Sequence, residues 1–294
     1  MKLPKLTPKQ QNILALLYQY RFLNRIQIQT LMGHKDYRRI NAWLADLRNN
    51  HFVEWIYSTD FLEKSKPGIY YLGINGIRWL KSHQDHPPEQ IRKRYRESDR
   101  SRGFIDQCML VADCCIKMNE INTRSSKNRV QYRYAVQADY LNPTNNYHFL
   151  SELELISPQL VFEIAAQTTD NKADTAHLLE IIESTMPRYR VRKRLKNYIE
   201  FLEDGYWQDE TNEDKPNPVV MVVCPTLTDL IYCKRATKRL LEEKWDEDIT
   251  MWFTTAQKLK AQGITGNIWE AVTAPEDTDQ DEREKMMSDT VPLP

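Results

Sequence analysis

The sequence has few cysteines, no long apolar run and no net charge. Its 5 cysteines are odd in number, no CxxC pair occurs, and cysteine and histidine do not follow the spacing of a zinc site. The sequence therefore predicts no metal cluster of cysteine and histidine, and we expect no bound cofactor. No segment is apolar and long enough for a membrane helix, and the N-terminus lacks the pattern of a signal peptide. We therefore expect a cytoplasmic protein with no membrane partner.

The absence of net charge hides an uneven distribution. The whole chain has 41 Lys and Arg and 41 Asp and Glu. Residues 1–100 contain 18 Lys and Arg against 9 Asp and Glu, so the rest of the chain carries a charge of −9. A basic N-terminal region on an acidic chain is typical of a nucleic-acid-binding protein, although a solvated surface gives the same count.

The region 6–80 has the pattern of a winged helix-turn-helix. Apolar residues recur at helical spacing, Gly33 breaks the chain as the turn of such a motif requires, and two strands flank a basic loop. The predicted elements are, in order, a helix following Thr7-Pro8, helices over Arg25–Met32 and Asp36–Asn49, and strands over Val53–Ile56 and Ile69–Leu72.

The third predicted helix has an apolar face and a polar face. Its apolar face consists of Ile40, Trp43, Leu44 and Leu47. Arginine binds guanine or phosphate and asparagine reads an adenine edge, so the polar face suits a major groove. The predicted DNA-binding residues are Arg38, Arg39, Asn41 and Arg48 on this helix, with Lys64 and Lys66 in the wing loop. The alternative is a winged helix used for protein contacts, with the arginines on a solvated face.

Four segments are predicted along the chain. They are a winged helix-turn-helix over residues 1–82, a basic connector helix over 83–101, an α/β domain over 102–273 and an acidic disordered tail over 274–294. The connector either lies along phosphates or is solvated. In the third segment, strands are predicted over Val130–Val136, Tyr147–Glu154, Leu160–Ala165, Val219–Cys224 and Thr250–Phe253. Helices are predicted over Gly103–Ile121, Ala173–Ser184, Tyr189–Glu203, Asp229–Glu243 and Ala256–Gln262.

Two carboxylates lie near strands of this α/β domain. Asp139 follows the first strand in VQADY, and Glu163 lies in LVFEIAA. A nuclease needs two nearby carboxylates to hold Mg²⁺ and a lysine to position the attacking water. PD-(D/E)xK nucleases place an Asp at one strand and Glu-x-Lys on the next, whereas Ala165 stands two residues after Glu163 here. Asp139 and Glu163 are therefore predicted as a degenerate catalytic pair.

The layout of residues 6–270 resembles the replication-relaxation family of plasmid and mobile-element proteins. The segments that carry the resemblance are LTPKQQNILALLYQYRFLNRIQIQTLM, GIYYLGINGIRWL, Asp139-Tyr140, VFEIAAQTT, RKRLKNYIEFLEDGYW, PVVMVVCPT and GITGNIW. The resemblance implies a DNA-binding winged helix joined to a nuclease-like α/β domain, associated with plasmid replication or transfer. It also implies an acidic residue where Ala165 stands, a proline where Ala138 stands, and a basic residue where Arg194 stands.

The predicted fold class is therefore α+β, with an N-terminal winged helix-turn-helix followed by an α/β domain that resembles a degenerate PD-(D/E)xK nuclease-like fold. Arg194 is predicted either to bind DNA or to relieve the repulsion between Asp139 and Glu163, with Lys193 and Lys196 as competing basic groups.

Three functions remain open from the sequence. The leading hypothesis is a protein of plasmid or mobile-element replication, transfer or transcriptional control that binds double-stranded DNA. Its nuclease-like domain would be inactive and would serve homodimerisation or contacts with replication or transfer proteins. The second is an active nuclease that uses Mg²⁺ on Asp139 and Glu163. The third is a winged-helix adaptor that binds proteins.

Overall fold

The computed structural model describes residues 3–57, 66–83, 86–124, 130–142, 153–166, 175–211, 216–242, 249–273 and 290–291. The fold is mixed α+β with two β-sheets, which confirms the coarse fold class expected from the sequence. The chain divides into two units, residues 1–116 with 142–144 and residues 117–141 with 145–294. Lys64 lies outside the described residues.

Three helices begin the first unit, and polar caps fix where each one starts. Thr7 with Gln10, and Asn24 with Gln27, form capping boxes in which each side chain satisfies a backbone N–H of the other residue. The carboxylate of Asp36 accepts a hydrogen bond from a backbone N–H of the third helix. The helices are α1 (Pro8–Tyr20), α2 (Arg25–Leu31) and α3 (Tyr37–Asn49), which confirms the three predicted positions.

A three-stranded antiparallel sheet accompanies these helices. Its strands are β1 (Leu23–Asn24), β2 (Val53–Ile56) and β3 (Ile69–Leu72), in the order β1-β3-β2. Helix α4 (Ile74–His83) follows β3 and packs closely on the chain just before β2. A Cβ added at Gly76 would lie 2.2 Å from the carbonyl oxygen of Phe52, so only glycine permits this approach.

The segment after α4, which was predicted either to lie along phosphates or to be solvated, is partly buried. It forms α5 (Pro88–Lys93) and a 3₁₀-helix (Arg94–Asp99), and α6 (Arg102–Arg124) follows. Arg94 and Glu97 are buried within the first unit rather than solvated. Arg94 donates a hydrogen bond to the carbonyl oxygen of Tyr18 at 2.8 Å, and Glu97 pairs with Arg21. These charges can be buried because each one finds a partner there.

One mixed sheet runs through the described part of the second unit. Its strands lie in the order β10-β9-β8-β7-β6-β5-β4, and β6, β7 and β8 are mutually parallel while the other neighbours are antiparallel. The strands are β4 (Val130–Val136), β5 (Leu160–Ala166), β6 (Thr175–Ile181), β7 (Val219–Cys224), β8 (Thr250–Thr255), β9 (Trp269–Thr273) and β10 (Thr290–Val291). The central position of β7 agrees with its continuous apolar sequence.

Helices cover this sheet, and two of them form the main core with it. The helices are α7 (Gln137–Tyr140), α8 (Leu153–Ile156), α9 (Arg188–Glu203), α10 (Tyr206–Thr211), α11 (Leu227–Glu242) and α12 (Ala256–Gln262). Leu195 of α9 and Cys233 of α11 share a buried cluster with Ala176 and Leu178 of β6. Since side chains alternate along a strand, Glu180 of β6 lies on this same face. None of the helices in the described ranges combines the length and apolarity that crossing a membrane requires.

Three sequence-based predictions in the second unit need correction or restriction. The predicted helix over Ala173–Ser184 is wrong, because Thr175–Ile181 is strand β6 and pairs with β5 and β7. The predicted strand over Tyr147–Glu154 is wrong at its end, where Leu153 and Glu154 belong to α8, and its other residues lie outside the described ranges. Within the predicted disordered tail, Thr290 and Val291 pair with β9, and its remaining residues also lie outside these ranges.

Candidate functional site

Helix α3 presents a polar, cationic face to solvent. Ile40, Leu44 and Leu47 anchor the helix in the core of the first unit. Arg38, Arg39 and Asn41, which we call the α3 face, are all exposed. The Nε atom of Arg39 lies 3.8 Å from a carboxylate oxygen of Asp36, and a pair this exposed contributes little to stability. The α3 face therefore has guanidinium and amide groups available to a ligand.

Arg48 occupies a different setting from the α3 face. Its guanidinium lies 4.1 Å from the ring centroid of Trp55 in β2, and the Trp55 ring stacks on Tyr57 at 5.0 Å. Both aromatic rings are exposed. Arg48 is half-buried, so its side chain is partly committed to this cation–π contact. Lys66, at the start of the chain leading into β3, is exposed.

A buried glutamate lies at the centre of a polar site in the second unit. Glu180 of β6 is only 2% exposed. One of its oxygens, Oε2, accepts hydrogen bonds from Nη2 of Arg194 at 2.6 Å and from the hydroxyl of Tyr198 at 2.8 Å. Gln159 also hydrogen-bonds the carboxylate, and its Oε1 accepts from the backbone N–H of Ile181 at 2.6 Å. We call these four residues, Glu180, Arg194, Tyr198 and Gln159, the Glu180 cluster.

The protonation states of this cluster follow from burial and from the ion pair. Burial raises the pKa of Glu180 above its ordinary value, although Arg194 and the hydrogen bonds from Tyr198 and Gln159 act in the opposite direction. Burial would lower the pKa of Arg194, but the adjacent Glu180 carboxylate raises it, so the guanidinium stays charged. Burial raises the pKa of Tyr198 well above its usual range, so its phenol remains a donor.

The donors around Glu180 limit what this cluster can bind. The charges of Glu180 and Arg194 cancel, and Arg194 is itself fixed by a second hydrogen bond to the carbonyl oxygen of Ile156 at 2.9 Å. A divalent cation needs anionic oxygen ligands, so to bind the Glu180 carboxylate it would have to displace the guanidinium of Arg194. Within the described ranges, no group of three or more His, Cys, Asp or Glu is arranged to hold a metal ion.

The predicted catalytic pair is placed at separate points of the sheet. A carboxylate oxygen of Asp139 accepts a hydrogen bond from the backbone N–H of Val136 at 3.1 Å, so Asp139 lies at the end of β4. Val136 pairs with Leu160 of β5. Glu163 lies three residues further along this strand, at about 10 Å from Leu160. Glu163 lies 3.2 Å from the guanidinium of Arg133 on β4. Arg194, for which relief of the repulsion between these carboxylates was one of two predicted roles, donates a hydrogen bond to Glu180.

Sequence reasoning did not find Gln159 and Glu180. Pro158-Gln159 leads directly into β5, and Glu180 lies on the next strand with Ile182 two residues after it. The mistaken helix prediction over Ala173–Ser184 concealed the strand that carries Glu180.

Comparison with known proteins identifies a family. The family model described as replication-relaxation matches residues 14–215, a range that includes the α3 face, β2, β3 and the Glu180 cluster. Comparison with curated proteins finds no match to the chain.

Proposed function

This chain belongs to the replication-relaxation family, and we propose that it binds double-stranded DNA in plasmid or mobile-element replication, transfer or transcriptional control. The observation that carries the proposal is the α3 face, where Arg38, Arg39 and Asn41 are all exposed on a helix whose opposite side is buried. Guanidinium and amide groups on one exposed helical face suit the edges of bases in a major groove.

The arrangement around α3 supports the interpretation of the first unit as a winged helix-turn-helix. The order of α1, α2, α3, β2 and β3, with a bend at Gly33 between α2 and α3, matches that motif. In this proposal α3 enters the major groove and the β2–β3 pair forms the wing. Lys66 and Lys64 contact phosphates from the wing, and Arg48 contributes from the junction with Trp55.

The second unit is proposed to be a nuclease-like platform without nuclease activity. Its strands β4, β5 and β6 are antiparallel neighbours, α9 follows β6, and β7 lies parallel to β6. The supporting observation is the ion pair between Arg194 and Glu180, which neutralises this buried carboxylate. We propose that this unit instead serves homodimerisation or contacts with replication or transfer proteins.

A binding experiment tests the DNA proposal. A randomised duplex pool is enriched on the full chain, and the affinity for the enriched duplex is measured at fixed salt for wild type and for the variant Arg38→Ala/Asn41→Ala. Each lost bidentate base contact should cost about 1–3 kcal/mol of binding free energy. Arg235→Ala, which removes one exposed arginine from α11, is the charge-matched control and should bind as wild type does. Unchanged affinity of the α3 variant would refute the assignment.

A cleavage assay tests the second unit. Supercoiled, linear and single-stranded DNA are incubated with the full chain in Mg²⁺ or Mn²⁺, and we expect no cutting. Cutting that requires metal and disappears in Glu180→Gln would show that the ion pair opens to admit a cation. Cutting that disappears in both Asp139→Ala and Glu163→Ala would establish those two carboxylates as a working nuclease site. Either result would replace the platform proposal.

A further inference from the structure

A shallow basic cavity lies on the surface of the first unit, away from the α3 face in sequence. It has a volume of about 430 Å³ and is lined by Glu89, Arg92, Lys93, Arg96 and Arg100. Four cationic side chains thus face one carboxylate. Arg92, Lys93 and Arg96 are exposed, so the cavity is open to solvent. We call it the basic groove.

A second layer of positive charge lies behind this groove. The carboxylate of Glu97 is 1% exposed and receives Nε and Nη2 of Arg21 at 2.8 and 2.9 Å. Its oxygens also lie 3.7 Å from Nη1 of Arg94 and 3.5 Å from Nε of Arg100. We call these four residues, Glu97, Arg21, Arg94 and Arg100, the Glu97 cluster. Three guanidiniums share one carboxylate, which leaves an excess of two positive charges.

The excess charge persists at neutral pH. Burial lowers the pKa of Arg94 to about 10, with a further contribution from Arg21, and this value still leaves the guanidinium protonated. Arg100 belongs both to the Glu97 cluster and to the wall of the groove, so the two layers of charge are continuous. An anion in the groove would compensate charge that Glu97 alone does not balance.

We propose that the basic groove binds phosphate groups of a DNA backbone and so gives the protein a second, sequence-independent DNA contact. Guanidinium groups match the geometry of phosphate oxygens, and the groove offers several of them together. Among the residues with described positions that line it, none has an aromatic side chain that would stack on a base. Its openness to solvent suits a polymer that passes across the surface better than an enclosed small molecule. This proposal rests on the DNA binding proposed above.

The test variant is Arg92→Gln/Arg96→Gln in the full chain. Both side chains are exposed, so the variant should fold, and Arg100 is left intact because it contacts Glu97. The control is Arg78→Gln/Lys81→Gln, which removes two exposed cations from α4 of the same unit and changes the net charge equally. Affinity for the enriched duplex and for an unrelated duplex is measured over a range of salt concentrations.

The groove variant should bind both duplexes less tightly, by about tenfold or more at 0.1 M salt, with the salt slope reduced by about 2. The control should leave both quantities close to wild type. An equal loss in the control, or a loss confined to the enriched duplex, overturns the proposal. The proposal is also overturned if the groove variant binds as tightly as wild type while Arg38→Ala/Asn41→Ala binds less tightly. In that case the proposed function stands.

A parallel titration with inorganic tripolyphosphate separates the two sources of phosphate. If the wild-type chain binds tripolyphosphate but no duplex DNA, and the groove variant alone loses that binding, the groove takes a free phosphate-rich ligand. That result overturns both the DNA assignment of the groove and the proposed function. If the chain binds neither probe, both proposals fail together.

Discussion

In the part of the chain that the structure describes, each unit contains a buried glutamate that pairs with arginine, but the two sites balance their charges differently. In the Glu97 cluster, three guanidiniums share a carboxylate that is 1% exposed. In the Glu180 cluster, one guanidinium and one phenol hydrogen-bond a carboxylate that is 2% exposed. The first site therefore keeps an excess of positive charge, whereas the second is neutral.

The excess positive charge of the Glu97 cluster attracts an anion, whereas the Glu180 cluster has no unbalanced charge. The excess charge of the Glu97 cluster adjoins the basic groove through Arg100. The Glu180 cluster is closed by hydrogen bonds to the protein's own chain, including the bond from Arg194 to the carbonyl oxygen of Ile156. Glutamate and arginine thus serve ligand binding in the first unit and internal structure in the second. The reason is that the ratio of cations to carboxylates differs between the two clusters.

The largest effect is expected from Glu97→Gln. The change leaves the half-buried Arg21 and the buried Arg94 without a compensating charge, and removing one partner of a buried ion pair costs about 3–5 kcal/mol. Urea unfolding of the full chain measures the loss of stability, and hydrogen exchange of peptides from α1 and the 3₁₀-helix locates it in the first unit.

Asp99→Asn is the matched control, because it removes the next carboxylate of the same 3₁₀-helix from an exposed position. It should leave the stability within about 0.5 kcal/mol of wild type. Equal effects of the two substitutions would mean that Glu97 does not balance the arginines around it, and the comparison with Glu180 would then have no basis.

A smaller effect is expected from Glu180→Gln. The glutamine keeps an oxygen that can accept the hydrogen bond from Tyr198, and the Arg194 side chain is 29% exposed and can reach water. We therefore expect a loss of about 2 kcal/mol in the free energy of unfolding. Glu200→Gln, which removes a half-buried carboxylate from α9, is the control. A loss larger than that of Glu97→Gln would reverse the proposed order of the two clusters.

A third carboxylate, that of Glu270, adds a further test of the comparison, because its contribution to stability depends on pH. Glu270 of β9 lies between Lys234 and Lys258, with its oxygens 2.8 and 3.1 Å from their Nζ atoms. Burial acts to raise the pKa of Glu270, but the hydrogen bonds and charges of the two lysines bring it below its ordinary value of 4.5.

The stabilisation from Glu270 should therefore be present above pH 4.5 and should be lost as the pH falls through the lower pKa of the folded state. Unfolding free energies of wild type and Glu270→Gln, measured from neutral to acidic pH, should converge at the acidic end. Glu242→Gln, at an exposed position of α11, should show no such convergence. A difference between wild type and Glu270→Gln that grows on acidification would contradict the assigned sign. The loss of stability on substituting Glu270 should be smaller than at Glu180, because the Lys258 side chain is 40% exposed.

The first unit was largely predictable because its signals are local. Thr7 and Asp36 mark helix starts, and Ile40, Leu44 and Leu47 recur at helical spacing. The exception is Glu97, which belongs to a run of charges that is typical of a solvated segment. Its partner Arg21 is distant in the chain, so no local pattern indicates that the two are buried together.

The site in the second unit was missed because tertiary pairing overrides local preference there. Ala176, Leu178, Leu179 and Glu180 occur in a sequence rich in helix-forming residues. In the structure this segment lies between β5 and β7 and is buried on both faces, so its apolar residues do not alternate with polar ones. Only the pairing with its neighbours identifies the strand and places Glu180 beside α9.

The smallest effect concerns Lys66, which tests whether location or net charge directs DNA to the first unit. Lys66→Gln should weaken binding of any duplex equally and reduce the salt slope by about 0.9, since one phosphate contact is lost. Arg192→Gln removes one exposed cation from α9 of the second unit and should leave the slope unchanged. Equal slopes for the two variants would mean that DNA responds to total charge, and the contrast between the units would not extend to binding. A loss confined to one sequence would instead mean that Lys66 contacts a base, because a phosphate contact is the same for every sequence.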